Sequence, residues 1–232
     1  RNIYATVSAP IHCVTLNTGE FIKYLSNTLL ATLISYSNEM SVVADTIGGI
    51  DTAEAFHILH EDKRWNNAPM ASYVYPGCGY GGYCLPKDTN ALYAVARTAG
   101  FDASILKNVI ATNDHMPAFI ADKIAKAVNN DHNAVIGLLG LSFKPGSDDV
   151  RDTPSAKIAK ELIACGFKHI IGYDPVAMEE FRKHYDLTMD YAASYDDILN
   201  RADAFAITTA WPEFKDVRKQ TAKTVVDCRY ML

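Results

Sequence analysis

The chain has 232 residues, 49% of them hydrophobic and 21% charged, and carries a net charge of −5. Its length suits two modest domains, its acidic balance without any basic block speaks against a nucleic-acid partner, and no apolar run approaches the ~18 residues of a membrane span. Five widely spaced cysteines (13, 78, 84, 165 and 228), with no CxxC pair and no clustered histidines, argue against a disulfide framework or a metal site and for a reducing cytoplasm.

The chain opens at Arg1, and residues 1–14, with Pro10 among them, do not read as the start of a domain. They are expected to be the remnant of an upstream domain, which makes the chain a fragment. From Asn17 to Ile47 no proline intervenes, and one long helix of roughly 45 Å is expected at about 1.5 Å per residue. Phe21, Leu25, Leu29 and Leu33 give it an apolar face. Glu20, Lys23 and Asn27 share another face, and Asn38 lies near that same stripe. Gly48 and Gly49 end the helix, and Asp51 caps a second one to about His60. The irregular segment from Glu61 to Tyr75, with Trp65 and Pro69, leads into a stretch that reads PGCGYGGYCLPKD, Pro76 to Asp88. A helix is expected from Pro86 to Ala99, closed by Gly100, and another from Ala103 to Asn130, with a possible break at Pro117.

At Ala134 the texture changes. AVIGLLGL is an apolar run of strand length, SFKPGSDDVRD a loop, and TPSAKIAKELIACG a helix with Pro154 near its start. HIIGYDP, a short stretch near Leu187, ADAFAIT and KTVVDC supply further strands, with helices at 177–184 and 196–200 between them. Alternating strands and helices predict a doubly wound parallel sheet, whose ligands bind at the carboxyl ends of the strands. The fold class is therefore α/β: an all-helical first half followed by a parallel-sheet domain.

The richest chemistry lies in Pro76 to Asp88. Glycines let the backbone approach a ligand closely, and Cys84 is expected in a loop just ahead of a helix N-terminus with Lys87 nearby, a placement suited to nucleophilic sulfur. Gly77, Gly79 and Gly82 satisfy G-x-G-x-x-G, but that fingerprint needs a buried strand before it and a helix starting within it. Pro76 interrupts the approach, and no helix start is expected before Pro86, so the match is rejected. The turn after AVIGLLGL lacks the three glycines. Cys78, six residues before Cys84, is read as a small, partly buried thiol in preference to a regulatory disulfide with Cys84, and none of the seven histidines is given a catalytic role.

Three blocks, PGCGYGGYCLPKD, the helix with Glu20, Lys23 and Asn27 followed by SNE, and GLSFKPGSDDVRDTPS from Gly140 to Ser155, together resemble the UDP-glucose/GDP-mannose dehydrogenase family. The resemblance covers nearly the whole chain. It implies a central helical dimerisation domain (15–116) and a C-terminal Rossmann-like UDP-binding domain (117–232), with an N-terminal NAD-binding domain lying outside this sequence. The activity implied is oxidation of a UDP-sugar C6 alcohol to a carboxylate with two NAD, UDP-glucose being the first expectation and a UDP-N-acetylhexosamine the alternative. A non-catalytic dimerisation and nucleotide-binding module is the reading from a different class.

By the same resemblance Cys84 would attack the C6 aldehyde, Lys23 would stabilise the oxyanion, Asn27 would hold that oxygen or the water, and Asp88 would position water and orient Lys23. Tyr73 and the loop residues Gly79, Tyr80 and Gly81 would face the substrate, as would Lys144 and Arg229, while Arg151 would face the NAD side. Arg64 resembles an arginine passed across the dimer, although the glycine that usually follows it is missing here. The partners implied are a UDP-sugar and a second copy of the chain, with no nucleic acid, membrane or metal.

Overall fold

The computed structural model describes residues 11–64 and 72–232. Trp65 and Pro69, and most of the expected upstream remnant, lie outside the described residues. The long helix forms as α1, Leu16–Ile47, capped by the Thr15 side chain, which accepts from the Thr18 N–H at 3.3 Å. Gly48 ends it at φ 78°, a conformation that favours glycine. Helix α2 spans Thr52–Glu61 and is capped by Asp51, whose carboxylate accepts from Glu54 N at 2.9 Å.

The inward face of α1 is not the leucine stripe. Its buried residues are small and mostly polar: Thr28, Ala31, Ser35, Ser37, Asn38, Ser41 and Ala44. Small side chains at helical spacing allow close approach of α3, Cys84–Thr98, and α4, Ser104–Ala127. The Ser35 hydroxyl donates to the Val109 carbonyl at 3.1 Å, and Lys123 pairs with Asp45 at 2.8 Å. Phe21, Leu25 and Leu29 stay about half exposed, at 52%, 53% and 47%.

Two boundaries differ from expectation. Helix α3 begins at Cys84 rather than Pro86, because a proline in the first turn lacks only an N–H that would have no intrahelical partner. Cys84 is therefore the first residue of the helix and not part of the loop before it. Helix α4 runs without a break through the buried Pro117, held by packing against α1 on one stretch and against α5 on the other. One helix thus crosses residues 116 and 117 and serves both halves.

The second half is a five-stranded, all-parallel sheet in the order β3-β2-β1-β4-β5. The strands are β1 Val135–Leu139, β2 His169–Tyr173, β3 Asp190–Tyr191, β4 Ala204–Ile207 and β5 Thr224–Asp227. The third strand forms three residues beyond Leu187. Side chains alternate across the sheet as the two-residue strand period requires. Ile136, Leu138, Ile170 and Ala206 join Ile120 and Ile124 of α4, Ile158 and Leu162 of α5 (Pro154–Ala164) and Phe181 of α6 (Met178–His184). On the other face Leu139, Ile171, Phe205 and Ile207 meet Ile198 of α7 (Tyr195–Arg201), Phe214 of a short 3-10 turn and Val217 of α8 (Val217–Gln220). The 3-10 turn and α8 were not expected from sequence. Helices on both faces make the sheet doubly wound.

Candidate active site

A cleft of about 720 Å³ opens where the two halves meet. The helical half contributes Asn27 of α1, the glycine-rich loop and Cys84 at the start of α3. The sheet contributes Phe143, Lys144 and Arg151 from the loop after β1, Ala210 after β4 and Arg229 after β5. These all lie beyond the carboxyl ends of the strands, where ligands of open parallel sheets bind. A smaller cavity of about 360 Å³ lies beyond Tyr80 and Pro86, but no cysteine lines it.

Of the expected site residues, Asn27, Tyr73, Gly79, Tyr80, Gly81, Cys84, Lys144, Arg151 and Arg229 line the cleft. Lys23 and Asp88 stand behind Asn27. Asp88, at 0% exposure, gathers three donors from two helices: Asn27 Nδ2 at 2.6 Å and Lys23 Nζ at 3.2 Å on one oxygen, and Lys87 Nζ on the other. Burial alone would raise the Asp88 carboxyl, but the hydrogen bonds from Lys87, Asn27 and Lys23 outweigh it and hold the group below its ordinary value. Glu20 stays on the surface. Cys84 is exposed, unbonded to any other cysteine, and opens α3 beside Tyr83. The Arg151 guanidinium lies 5.0 Å from the Tyr83 ring centre and is tied to Asp149 at 2.6 Å.

The glycines are used for close approach. A Cβ on residue 77 would stand 2.7 Å from Arg229 Nη1, one on residue 79 would stand 2.8 Å from Asn113 Oδ1, and one on residue 81 would strike the Asp152 carbonyl. The loop therefore touches α4 and the sheet domain with its bare backbone. Tyr80 is buried, and its hydroxyl is pushed up to about 12, by burial first and by the Asp114 charge second.

Charge in the cleft favours an anion. Among the described residues Lys144, Arg151 and Arg229 share the lining with one carboxylate, Asp149, which Arg151 already engages. Among the described residues the Arg229 Nε is buried with no hydrogen-bond partner. The sheet is badly suited to a dinucleotide of its own. Asp174, at the end of β2 where such sheets hold a ribose, accepts from Leu141 N, Ser142 N, Ser142 Oγ and Trp211 Nε1 on one oxygen and from Val176 N and Ala177 N on the other. The carboxylate is spent on shaping the Ser142–Lys144 loop.

Arg64 does not reach the cleft within this chain. It is exposed and forks onto Asp62, with Nη2–Oδ2 at 2.7 Å, and this hydrogen-bonded partner pulls the Asp62 carboxyl down to about 2. The sequence reading also left out residues that shape the site. Asn113 was unremarked, and Asn38 was noted only for its stripe, yet both bond the glycine loop. Cys78 is buried against Cys228, its thiol 3.6 Å from the Cys228 carbonyl, so its neighbour is a cysteine 150 residues away and not Cys84. An interior asparagine on a helix was the one available signal for the first two.

Comparison with known proteins assigns both halves to one family. The family model for the UDP-glucose/GDP-mannose dehydrogenase central domain matches residues 17–115, and that for the family's UDP binding domain matches residues 137–232. The chain is 35% identical over 215 residues to UDP-glucose 6-dehydrogenase YwqF of Bacillus subtilis, covering 93% of this chain and 48% of that one. It is 35% identical over 205 residues to UDP-glucose 6-dehydrogenase AglM of Haloferax volcanii, covering 88% and 46%. The structure of a UDP-glucose dehydrogenase from Pyrobaculum islandicum superposes with a TM-score of 0.89 at 32% identity, covering 99% of this chain and 52% of that one. The chain spans about half the length of the curated relatives it matches. With both family models in order on the two halves that form the cleft, the chain belongs to the UDP-glucose/GDP-mannose dehydrogenase family.

Proposed function

We propose that this chain is the central and UDP-binding part of a UDP-glucose 6-dehydrogenase. The observation that carries the reading is the position of Cys84: an exposed thiol at a helix N-terminus, on the wall of a cation-rimmed cleft that Asn27 also lines, with Asn27 bonded to Asp88 and Asp88 paired with Lys23. In this reading Lys144 and Arg229 hold the diphosphate from the sheet side, and the sugar lies along Tyr73 and the bare backbone of Gly79–Gly81. Two NAD molecules, bound one after the other, would each take one hydride from C6; their binding would rest mainly on a domain outside this sequence, with Arg151 at the edge.

Cys84 adds to the C6 aldehyde, forming a C–S bond while the carbonyl oxygen takes a proton. Loss of the second hydride to NAD, with the oxygen's proton released to water, leaves a thioester on Cys84, and a further water then releases the carboxylate and returns the thiol. Lys23, fixed by Asp88, stabilises the negative charge that builds on the C6 oxygen. Asn27 donates to the same oxygen or to the attacking water, which Asp88 orients. The half-exposed leucine face of α1 packs on a second copy, and Arg64 reaches the neighbour's sugar across that interface. By itself the chain acts as a dimerisation and nucleotide-binding module without turnover.

The test has two arms. Calorimetry should show that the chain binds UDP, and NAD should not be reduced by it. In the full-length protein Cys84→Ser should abolish uronate formation; normal uronate output from that variant removes Cys84 from the mechanism, and absence of UDP binding removes the ligand assignment.

A further inference from the structure

The stretch from Gly77 to Gly82 walls the cleft, yet among the described residues no hydrogen bond joins one of its residues to another. A glycine-rich segment loses more conformational freedom on ordering than any other kind of chain. Its shape is therefore imposed from outside. Asn38, fully buried on α1, accepts from Gly77 N–H at 2.7 Å. Asn113, buried on α4, accepts from Tyr80 N–H at 2.7 Å and donates from Nδ2 to the Tyr80 carbonyl at 3.2 Å, gripping both polar groups of one residue. Between these grips Gly79 sits at φ +96° with no room for a Cβ beside Asn113 Oδ1. A third tie, Gly82 N–H to the Arg151 carbonyl at 2.9 Å, reaches the sheet domain.

We infer that Asn38 and Asn113 are positioning residues: two buried amides, on α1 and α4, that hold residues 77–80 in the form a nucleotide sugar meets. The identity of that ligand rests on the proposed function; the hold on the loop does not. The two amides are used unequally. Among the described residues Asn38 spends only its oxygen, since its Nδ2 has no hydrogen-bond partner there, whereas Asn113 spends both ends. An acceptor-only side chain can therefore replace the first and not the second.

The test compares Asn38→Ala, Asn38→Asp, Asn113→Ala and Asn113→Asp in this chain, by hydrogen exchange of residues 77–82 and by UDP-glucose calorimetry well below each unfolding midpoint. Both alanine variants should exchange roughly tenfold faster at Gly77 or Tyr80 and bind UDP-glucose roughly tenfold more weakly, the scale of one or two lost hydrogen bonds. Asn38→Asp should return to within about threefold of the parent, and Asn113→Asp should not. A purely structural role would lower the unfolding midpoint and leave affinity and loop exchange alone, and that result overturns the inference. So does an Asn113→Asp variant indistinguishable from the parent. Where an alanine variant fails to fold, the aspartate pair decides. A parent chain that binds no UDP-glucose defeats the proposed function, and loop exchange alone then decides the positioning role.

Discussion

The two halves of the molecule handle apolar surface in opposite ways. The sheet half hides it: Ile136, Leu138, Phe205 and Phe214 are completely buried between strands and helices of the same half. The helical half packs on serines, threonines and alanines and leaves Phe21, Leu25 and Leu29 about half in solvent. Exposed large apolar side chains in a row mark a surface that something else covers. The sheet half buries its large apolar side chains against its own helices and α4, whereas the helical half leaves a row of them exposed, a face that the proposed function covers with a second copy.

Four measurements break or sharpen that contrast. The largest effect is expected from Leu25→Glu combined with Leu29→Glu: the parent chain should sediment as a dimer and the variant as a monomer, and a monomeric parent would end the partner reading. Next is Phe205→Ala, which empties part of a fully buried layer and should cost about 3–5 kcal/mol in denaturant unfolding. Asp174→Asn comes third. Burial raises the Asp174 carboxyl, but the backbone N–H groups of Ser142, Val176, Leu141 and Ala177 outweigh it and hold the group low in the folded chain. Because the folded value is depressed, its contribution is complete above the ordinary aspartate value of about 3.9 and drains away as pH falls through the lower folded value. The asparagine variant turns an amide nitrogen toward N–H donors, should lose roughly 2 kcal/mol at neutral pH, and should show a flatter acid limb below about pH 4. The smallest effect belongs to Leu29→Ala measured at concentrations where the chain is monomeric, within about 0.5 kcal/mol. A loss there as large as that of Phe205→Ala would show that the leucine face is core after all.

Local signals carried much of the fold. The proline-free run from Asn17, the Asp51 cap and the Pro154 start gave α1, α2 and α5 their places, because each is decided by neighbours in sequence. The short apolar runs gave four of the strands for the same reason. The candidate site was legible where residue type was distinctive: Cys84, the glycines, and Lys23 with Asn27 on one helical stripe. It was not legible where ordinary residues act at long range. Asn113 sits 33 residues from the tyrosine it holds, and Cys78 meets Cys228. The start of α3 was set too late because Pro86 reads as a helix start, while the third position of a first turn tolerates it equally well.

Pro76 to Asp88 shows where the division falls. The sequence by itself determined that this stretch is a pliant backbone leading into a helix with a thiol near its start, since glycine, proline and cysteine carry those properties wherever they stand. Only the tertiary structure decided what shape the backbone takes. Among the described residues Gly77 to Gly82 make no hydrogen bond with one another, so Asn38, Asn113 and the Arg151 carbonyl choose their conformation. Tertiary structure also brought Asn27 and Lys23 onto the buried Asp88 carboxylate. Such partners are fixed by packing between distant segments, which no local pattern encodes.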